Sequence, residues 1–369
     1  MDRREFMIGL GAGTAMFAVR PTLAMALDEF SPLARALHGR SIVLDCNCAP
    51  PDFDGWVAPA ATIAQIKAAG VTAVKRTLGG FNAPFEDTVA EIAAYQRAVE
   101  VNPGVFMQIR NADDFAECKR SGRFGILFSF ESATCLGDNI DRIELFFNLG
   151  VRVMQLSYNL TSPFGAGVLA PADAGLTELG RKAIDSMNSL GVALDLSHAN
   201  PATTRAAMAA SKKPVLMTHG GCSAVHPHPR NKTDGQLRAL ADKGGVIGIY
   251  DLFYLAPSPR QPNLDDYMAH MAHALKVCGE DHVGIGSDTG FGAQMTTPES
   301  RVQWDEEQKK RNATGVAAPE EDRYPYTEGL NRADRTLVIA DALLKRGYSE
   351  RVAEKVLGAN FVRAFREIW

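Results

Sequence analysis

Two runs decide the fold: Gly191-Val192-Ala193-Leu194-Asp195-Leu196-Ser197-His198 and, further on, Pro214-Val215-Leu216-Met217-Thr218-His219. Each is short and almost continuously apolar, as expected of a parallel strand covered on both faces, and each ends in a histidine. Runs of the same kind occur at 41–45, 71–77, 125–130, 151–157, 246–250 and 282–287. Helical patterns alternate with them, among them 62–69, 86–99, 141–148, 177–189 and 265–277. Gly70, Gly150 and Gly191 stand between a helical pattern and the next strand, where a left-handed residue stops a helix. Eight such runs separated by helices predict an α/β fold, a (β/α)8 TIM-type barrel, in preference to a doubly wound sheet. A further run at 105–110 leaves the strand count open by one. No GxGxxG or P-loop pattern follows the first strand, which argues against a nucleotide fold.

Composition narrows the class without naming a chemistry. The 369 residues are 46% hydrophobic and 22% charged with a net charge of −4. That excludes a disordered chain, a collagen-like fibre and a small disulfide scaffold. It also offers no basic field to gather phosphate backbones, so no nucleic-acid partner is expected. The first residues read as a removable leader. Arg3 and Arg4 precede an apolar run at 7–19, and Ala24-Met25-Ala26 supplies the small residues of a cleavage site. The run is too short for the ~20 residues of a membrane span. The adjacent arginines resemble a twin-arginine signal, which implies export to a periplasm. Cleavage after Ala26 removes three arginines and two acids, taking the net charge from −4 to −5. In that compartment Cys46, Cys48, Cys118, Cys135, Cys222 and Cys278 could form disulfides or remain buried thiols. Residues 27–369 then form one barrel domain. The segment 289–330 interrupts it and is expected to be a solvated, helix-bearing insertion, with a lid over the barrel mouth as the alternative. Helical patterns at 333–345 and 349–368 close the chain.

In such a barrel the site forms at the C-terminal ends of the strands. Glu131, His198, His219 and Asp288 each end an apolar run. Two imidazoles and a carboxylate are a common catalytic zinc set, and a nearby aspartate can take a proton from water. The constellation points to metal-assisted hydrolysis.

These residues and their surroundings resemble the renal (membrane) dipeptidase family of zinc peptidases, from about residue 41 to the C-terminus. The segments that carry the likeness are FSFES around Glu131, GVALDLSHAN, PVLMTHGGCSAVHPHPRNKTD, DHVGIGSDTGFG and LLKRGYSERVAEKVLGANFVRAF. The resemblance implies that Glu131 bridges two zinc ions and that His198 and His219 complete the second metal's shell. It implies that Arg230 binds the C-terminal carboxylate of a dipeptide, a task suited to a planar guanidinium, and that Asp288 handles the proton. His226 and His228 match no ligand and are expected in a loop. The implied partner is a small-molecule or dipeptide substrate; whether the chain forms a homodimer is left open.

The chain departs from that family at the centre of the site. The first-strand segment reads Leu44-Asp45-Cys46-Asn47-Cys48-Ala49-Pro50, so Asn47 and Ala49 replace the family's His-x-Asp pair. Tyr158 replaces a further histidine that supports the substrate. A hydroxyl there can still donate a hydrogen bond, but it carries no imidazole charge. Three outcomes stay open. One metal remains on Glu131, His198 and His219; or Cys46 or Cys48 supplies a thiolate to a rebuilt first site; or hydrolysis is lost, leaving a binding or biosynthetic accessory protein. Strand parity argues against the thiolate, because inward Asn47 and Ala49 would turn Cys46 and Cys48 toward the helices. A lyase or epimerase on the same metal is also compatible with the fold.

Overall fold

The computed structural model describes residues 29–51, 57–293 and 297–369, so the leader expected at 1–26 lies outside the described residues. The strands are β1 (Leu44–Asp45), β2 (Cys48–Ala49), β3 (Ala73–Thr77), β4 (Phe106–Gln108), β5 (Phe124–Phe130), β6 (Val151–Gln155), β7 (Ala193–Asp195), β8 (Leu216–Gly220), β9 (Val246–Ile249), β10 (Val283–Ile285) and β11 (Thr289–Gly290). Eight of them, β1, β3 and β5 to β10, close into a parallel ring. The uncertain run is β4. It pairs only with residues 124–126 of β5, and β6 takes over that edge from Phe128 onward. It is therefore a side strand and not a stave of the barrel.

Inside the ring, Leu44, Ala73, Leu127, Val153, Ala193, Leu216 and Val246 form one apolar layer with Phe361 and Phe365 of the final helix Asn360–Ile368. Gly284 allows that plug to approach, since a Cβ there would lie 2.5 Å from the Phe361 ring. Burying each such phenylalanine stabilises the fold by roughly 1.5–3 kcal/mol. The outward positions, including Val74, Phe128, Leu194, Ile247 and Ile285, pack beneath the helices in a second layer. Helices Ala60–Ala69 and Glu178–Leu190 stop at Gly70 (φ 65°) and Gly191 (φ 76°), both left-handed, as the sequence predicted.

Two irregularities position the site. In β8, Met217 pairs with Ile247 and Gly220 with Ile249, so Thr218 and His219 together oppose one residue. This bulge pushes the Thr218 carbonyl inward, where a Cβ at Gly248 or Gly286 would lie 2.1 or 1.8 Å from its oxygen. Glycine is required at both. Near the start of the chain, β1 ends at Asp45, Cys46 and Asn47 form a bend, and β2 resumes beyond it, paired with β11.

The insertion leaves the barrel after β11. Its helix Pro298–Ala313 has no buried residue. The return run is different: Val316, Ala318, Glu321, Arg323, Thr327 and Leu330 are buried. Arg323 donates to the carbonyls of Phe253 and Ala256, which ties the run to the loop after β9. All six cysteines are free and buried, which settles the choice left open above.

Candidate active site

Glu131 follows β5 directly. Its Oε1 accepts hydrogen bonds from Asn47 Nδ2 at 2.8 Å and Thr77 Oγ1 at 2.8 Å. Its Oε2 lies 3.9 Å from His198 Nε2. Together with His219, these residues bring one ligand atom each within 4.8 Å of one another.

The neighbours fix both imidazole tautomers. Asn159 gives an amide hydrogen to the Val316 carbonyl at 2.8 Å, so its Oδ1 accepts from His198 Nδ1 at 2.7 Å. Thr218 gives its hydroxyl hydrogen to Asp195 Oδ2 at 2.6 Å and so accepts from His219 Nδ1 at 3.0 Å. Asp195 is anchored in turn by Ser197 and the Thr218 backbone N–H. Both Nδ1 atoms therefore carry hydrogen, and the two Nε2 lone pairs face each other 3.0 Å apart. Burial, then the positive charge of Arg230, pulls both imidazoles well below their ordinary pKa, which disfavours a proton between them. Two neutral lone pairs and a carboxylate converging on one point suit a divalent cation, and the Asn159 and Thr218–Asp195 contacts are the outer supports such ligands use.

Asp288 sits at a left-handed φ of 61°, just past β10. Its backbone N–H donates to the Asn47 carbonyl at 2.6 Å, and its Oδ1 accepts from Asn47 Nδ2 at 2.6 Å. Its Oδ2 lies 4.0 Å from His219 Nε2. Burial, reinforced by the nearby Glu131, pushes its carboxyl well above the usual range. Arg230 is buried. One guanidinium nitrogen donates to the Ser197 carbonyl at 2.7 Å, and Nη2 has no partner among the described residues. Tyr158 stacks on His198 with ring centroids 4.1 Å apart, and burial raises its hydroxyl to about 12, so it keeps its hydrogen. His226 and His228 instead hold Glu320 and the Pro319 carbonyl, away from the ligand group.

The parity expectation for the cysteines is half corrected. Cys48 packs in the outer layer, but Cys46 joins the interior layer with Ala73 and Leu127. The bend at Cys46 and Asn47 breaks the alternation, so Cys46 and Asn47 both lie on the barrel side. Burial drives both thiols far above their ordinary pKa, and neither belongs to the ligand group. The supporting residues Asn159, Thr77, Thr218 and Asp195, and the approach of Arg311, were missed. A signal existed for one of them, because an aspartate inside the apolar run Val192 to Ser197 needs a partner.

The family model described as "Membrane dipeptidase (Peptidase family M19)" matches residues 60–300. A protein of Claviceps purpurea named "Dipeptidase tcpJ" is 29% identical over 290 residues, which is 78% of this chain and 61% of that one. The chain thus spans about three fifths of that relative's length. A solved "amidohydrolase" from Pseudomonas aeruginosa superposes with a TM-score of 0.78 at 29% identity, over 91% of this chain and 99% of that one. A metallopeptidase from Rhodobacter sphaeroides, solved with a phosphinate mimic of L-Ala-D-Ala, gives 0.71 at 20% identity over 89% and 100%, a likeness of fold. Among the described residues, no helix is long and apolar enough to cross a membrane.

Proposed function

Because the chain belongs to the membrane dipeptidase family, we propose that it hydrolyses a dipeptide or a similar small amide bearing a free carboxylate. In this reading Glu131, His198 and His219 hold one divalent ion, zinc, and Asn47 takes the place of a second. The observation that carries the reading is the unpartnered Nη2 of Arg230 beside the two histidines, on which Arg230 is the strongest neighbouring charge. A buried guanidinium N–H without an acceptor is costly, and a substrate carboxylate supplies one.

When bound, the ion supplies Lewis acidity toward the scissile carbonyl and water. Arg230 grips the substrate carboxylate and sets the amide in register. Asp288, held through Oδ1 by Asn47, uses Oδ2 to take a proton from the attacking water and return it to the departing amine. The Tyr158 hydroxyl donates to the carbonyl oxygen as charge builds there. Export through the twin-arginine route to the periplasm belongs to the same proposal and rests on Arg3, Arg4 and Ala24-Met25-Ala26.

The replacement of the family's His-x-Asp pair by Asn47 and Ala49 favours a second reading, a carboxylate-binding accessory protein without turnover. A panel of dipeptides offered to zinc-equilibrated protein separates the two, with Asp288→Asn as the control. Hydrolysis that falls at least about 10²-fold in the variant supports the enzyme. Equal inertness of both proteins, with carboxylate binding that Arg230→Met abolishes, supports the second reading.

A further inference from the structure

We propose that Arg311, from the insertion, is a positioning residue that acts through Tyr158, restoring beside the scissile carbonyl the positive charge that a tyrosine alone lacks. The inference rests on the hydrolase reading above and extends it to a residue 153 positions away in sequence. Helix Pro298–Ala313 touches the body along one face, where Trp304 packs against the core and donates to the Arg323 carbonyl, and on that face near its end Arg311 turns inward. Its Nε and Nη2 make a paired contact with Glu321 at 2.7 and 2.8 Å, and its Nη1 donates to the Tyr158 hydroxyl oxygen at 3.3 Å.

Each partner is itself fixed. Glu321 is buried and also accepts from the Tyr254 hydroxyl at 2.5 Å and the Ala318 backbone N–H at 2.8 Å. The Tyr158 ring is held between His198, with centroids 4.1 Å apart, and Phe81, at 5.4 Å. Because Arg311 occupies a lone pair of the phenolic oxygen, the hydroxyl hydrogen is free to point elsewhere. Among the described residues it is given to no acceptor. Stacking on His198 places the phenol beside the candidate ligand group, and in this proposal its hydrogen goes to a substrate carbonyl bound there. As a carbonyl oxygen gains charge and draws on the hydroxyl hydrogen, the phenolic oxygen becomes partly negative, and Arg311 stabilises it without reorganising. Glu321 fixes the guanidinium plane so that this support is in place beforehand. The insertion thus delivers a charge to the reacting centre.

The test is a double-mutant cycle on the full chain, equilibrated with zinc, with L-Ala-L-Ala and a phosphinate dipeptide analogue as probes. Tyr158→Phe and Arg311→Met are each expected to lower kcat by about 10- to 100-fold with KM changed less than about threefold. The double variant should be no worse than the poorer single by more than about threefold, since both remove one device. Arg311→Lys should recover part of the loss, and Glu321→Gln should fall between wild type and Arg311→Met. Multiplicative losses in the double variant, or an effect confined to KM, overturn the proposal. If the wild type turns over no dipeptide, the hydrolase reading fails first, and the cycle is read in phosphinate affinity. There a non-additive loss sustains the coupling, while additive losses, or no binding by the wild type, overturn it.

Discussion

Asn47 and Asp288 bind each other twice: the Asn47 amide donates to Asp288 Oδ1 at 2.6 Å, and the Asp288 backbone N–H donates to the Asn47 carbonyl at 2.6 Å. The same Asn47 nitrogen donates to Glu131 Oε1 at 2.8 Å. A neutral amide therefore bridges two carboxylates at the point where the family resemblance implies a cation-binding pair. The small β2–β11 pairing continues this link beyond the bend and holds Asp288 in its left-handed conformation.

Removing that bridge should be costly. Asn47→Leu leaves Glu131 and Asp288 side by side without the donors they share. Hydrogen bonds to charged groups are worth about 1.5–3 kcal/mol each, so a loss of about 3 kcal/mol in denaturant unfolding is expected. Asn47→Asp should be similarly destabilised without metal, yet gain far more thermal stability than wild type when zinc is added, because a third carboxylate then faces a cation. Equal stabilisation of the two proteins by zinc would contradict this role for Asn47.

Arg230 should govern recognition of the carboxylate. Arg230→Met is expected to raise KM for dipeptides by about 10²-fold, in keeping with the 2–5 kcal/mol lost when one partner of a buried charged pair is truncated. Arg230→Lys should rescue little, because an ammonium does not reproduce the planar fork. A dipeptide with an amidated C-terminus should be a poor substrate for wild type and no poorer for Arg230→Met. Steady-state kinetics on the paired substrates checks both statements.

Acid stability follows from histidines remote from the ligand group. Burial pulls His38, His228 and His270 from their ordinary 6.5 to about 4. Between these pH values the unfolded chain binds protons that the folded chain does not, so stability falls as pH falls through the window and levels off below about pH 4. At 1.36 kcal/mol per pH unit, each group sets an upper bound of about 3 kcal/mol. Melting temperatures should decline from pH 7 to pH 4, and His38→Gln, which can still bond Thr336, should flatten the slope. A melting temperature independent of pH in that range would rule this out.

Much of the barrel was legible because burial on both faces imposes near-continuous apolar runs, and polar residues ending such runs stand out. Glu131, His198, His219 and Asp288 were found that way, and they do converge. What escaped were departures from strict alternation. The bulge at Thr218 and His219 leaves no trace in the apolar pattern beyond the glycines at 248 and 286 that accommodate it. The bend at Cys46 and Asn47 defeated a parity argument that holds only for an unbroken strand. Arg311 was invisible for another reason: it lies in a polar helix, and only the path of the insertion brings it to Tyr158.

The proposed function turns on a single metal held by Glu131, His198 and His219, with Asn47 standing in for a second. Zinc content per chain, measured by elemental mass spectrometry after equilibration and removal of loosely bound ion, tests it directly. One zinc per chain is expected, with a loss to near zero in the His198→Ala/His219→Ala double variant and a rise toward two when Asn47→His and Ala49→Asp are combined. Two zinc ions in the wild type, none after reconstitution, or one retained without both histidines would contradict it.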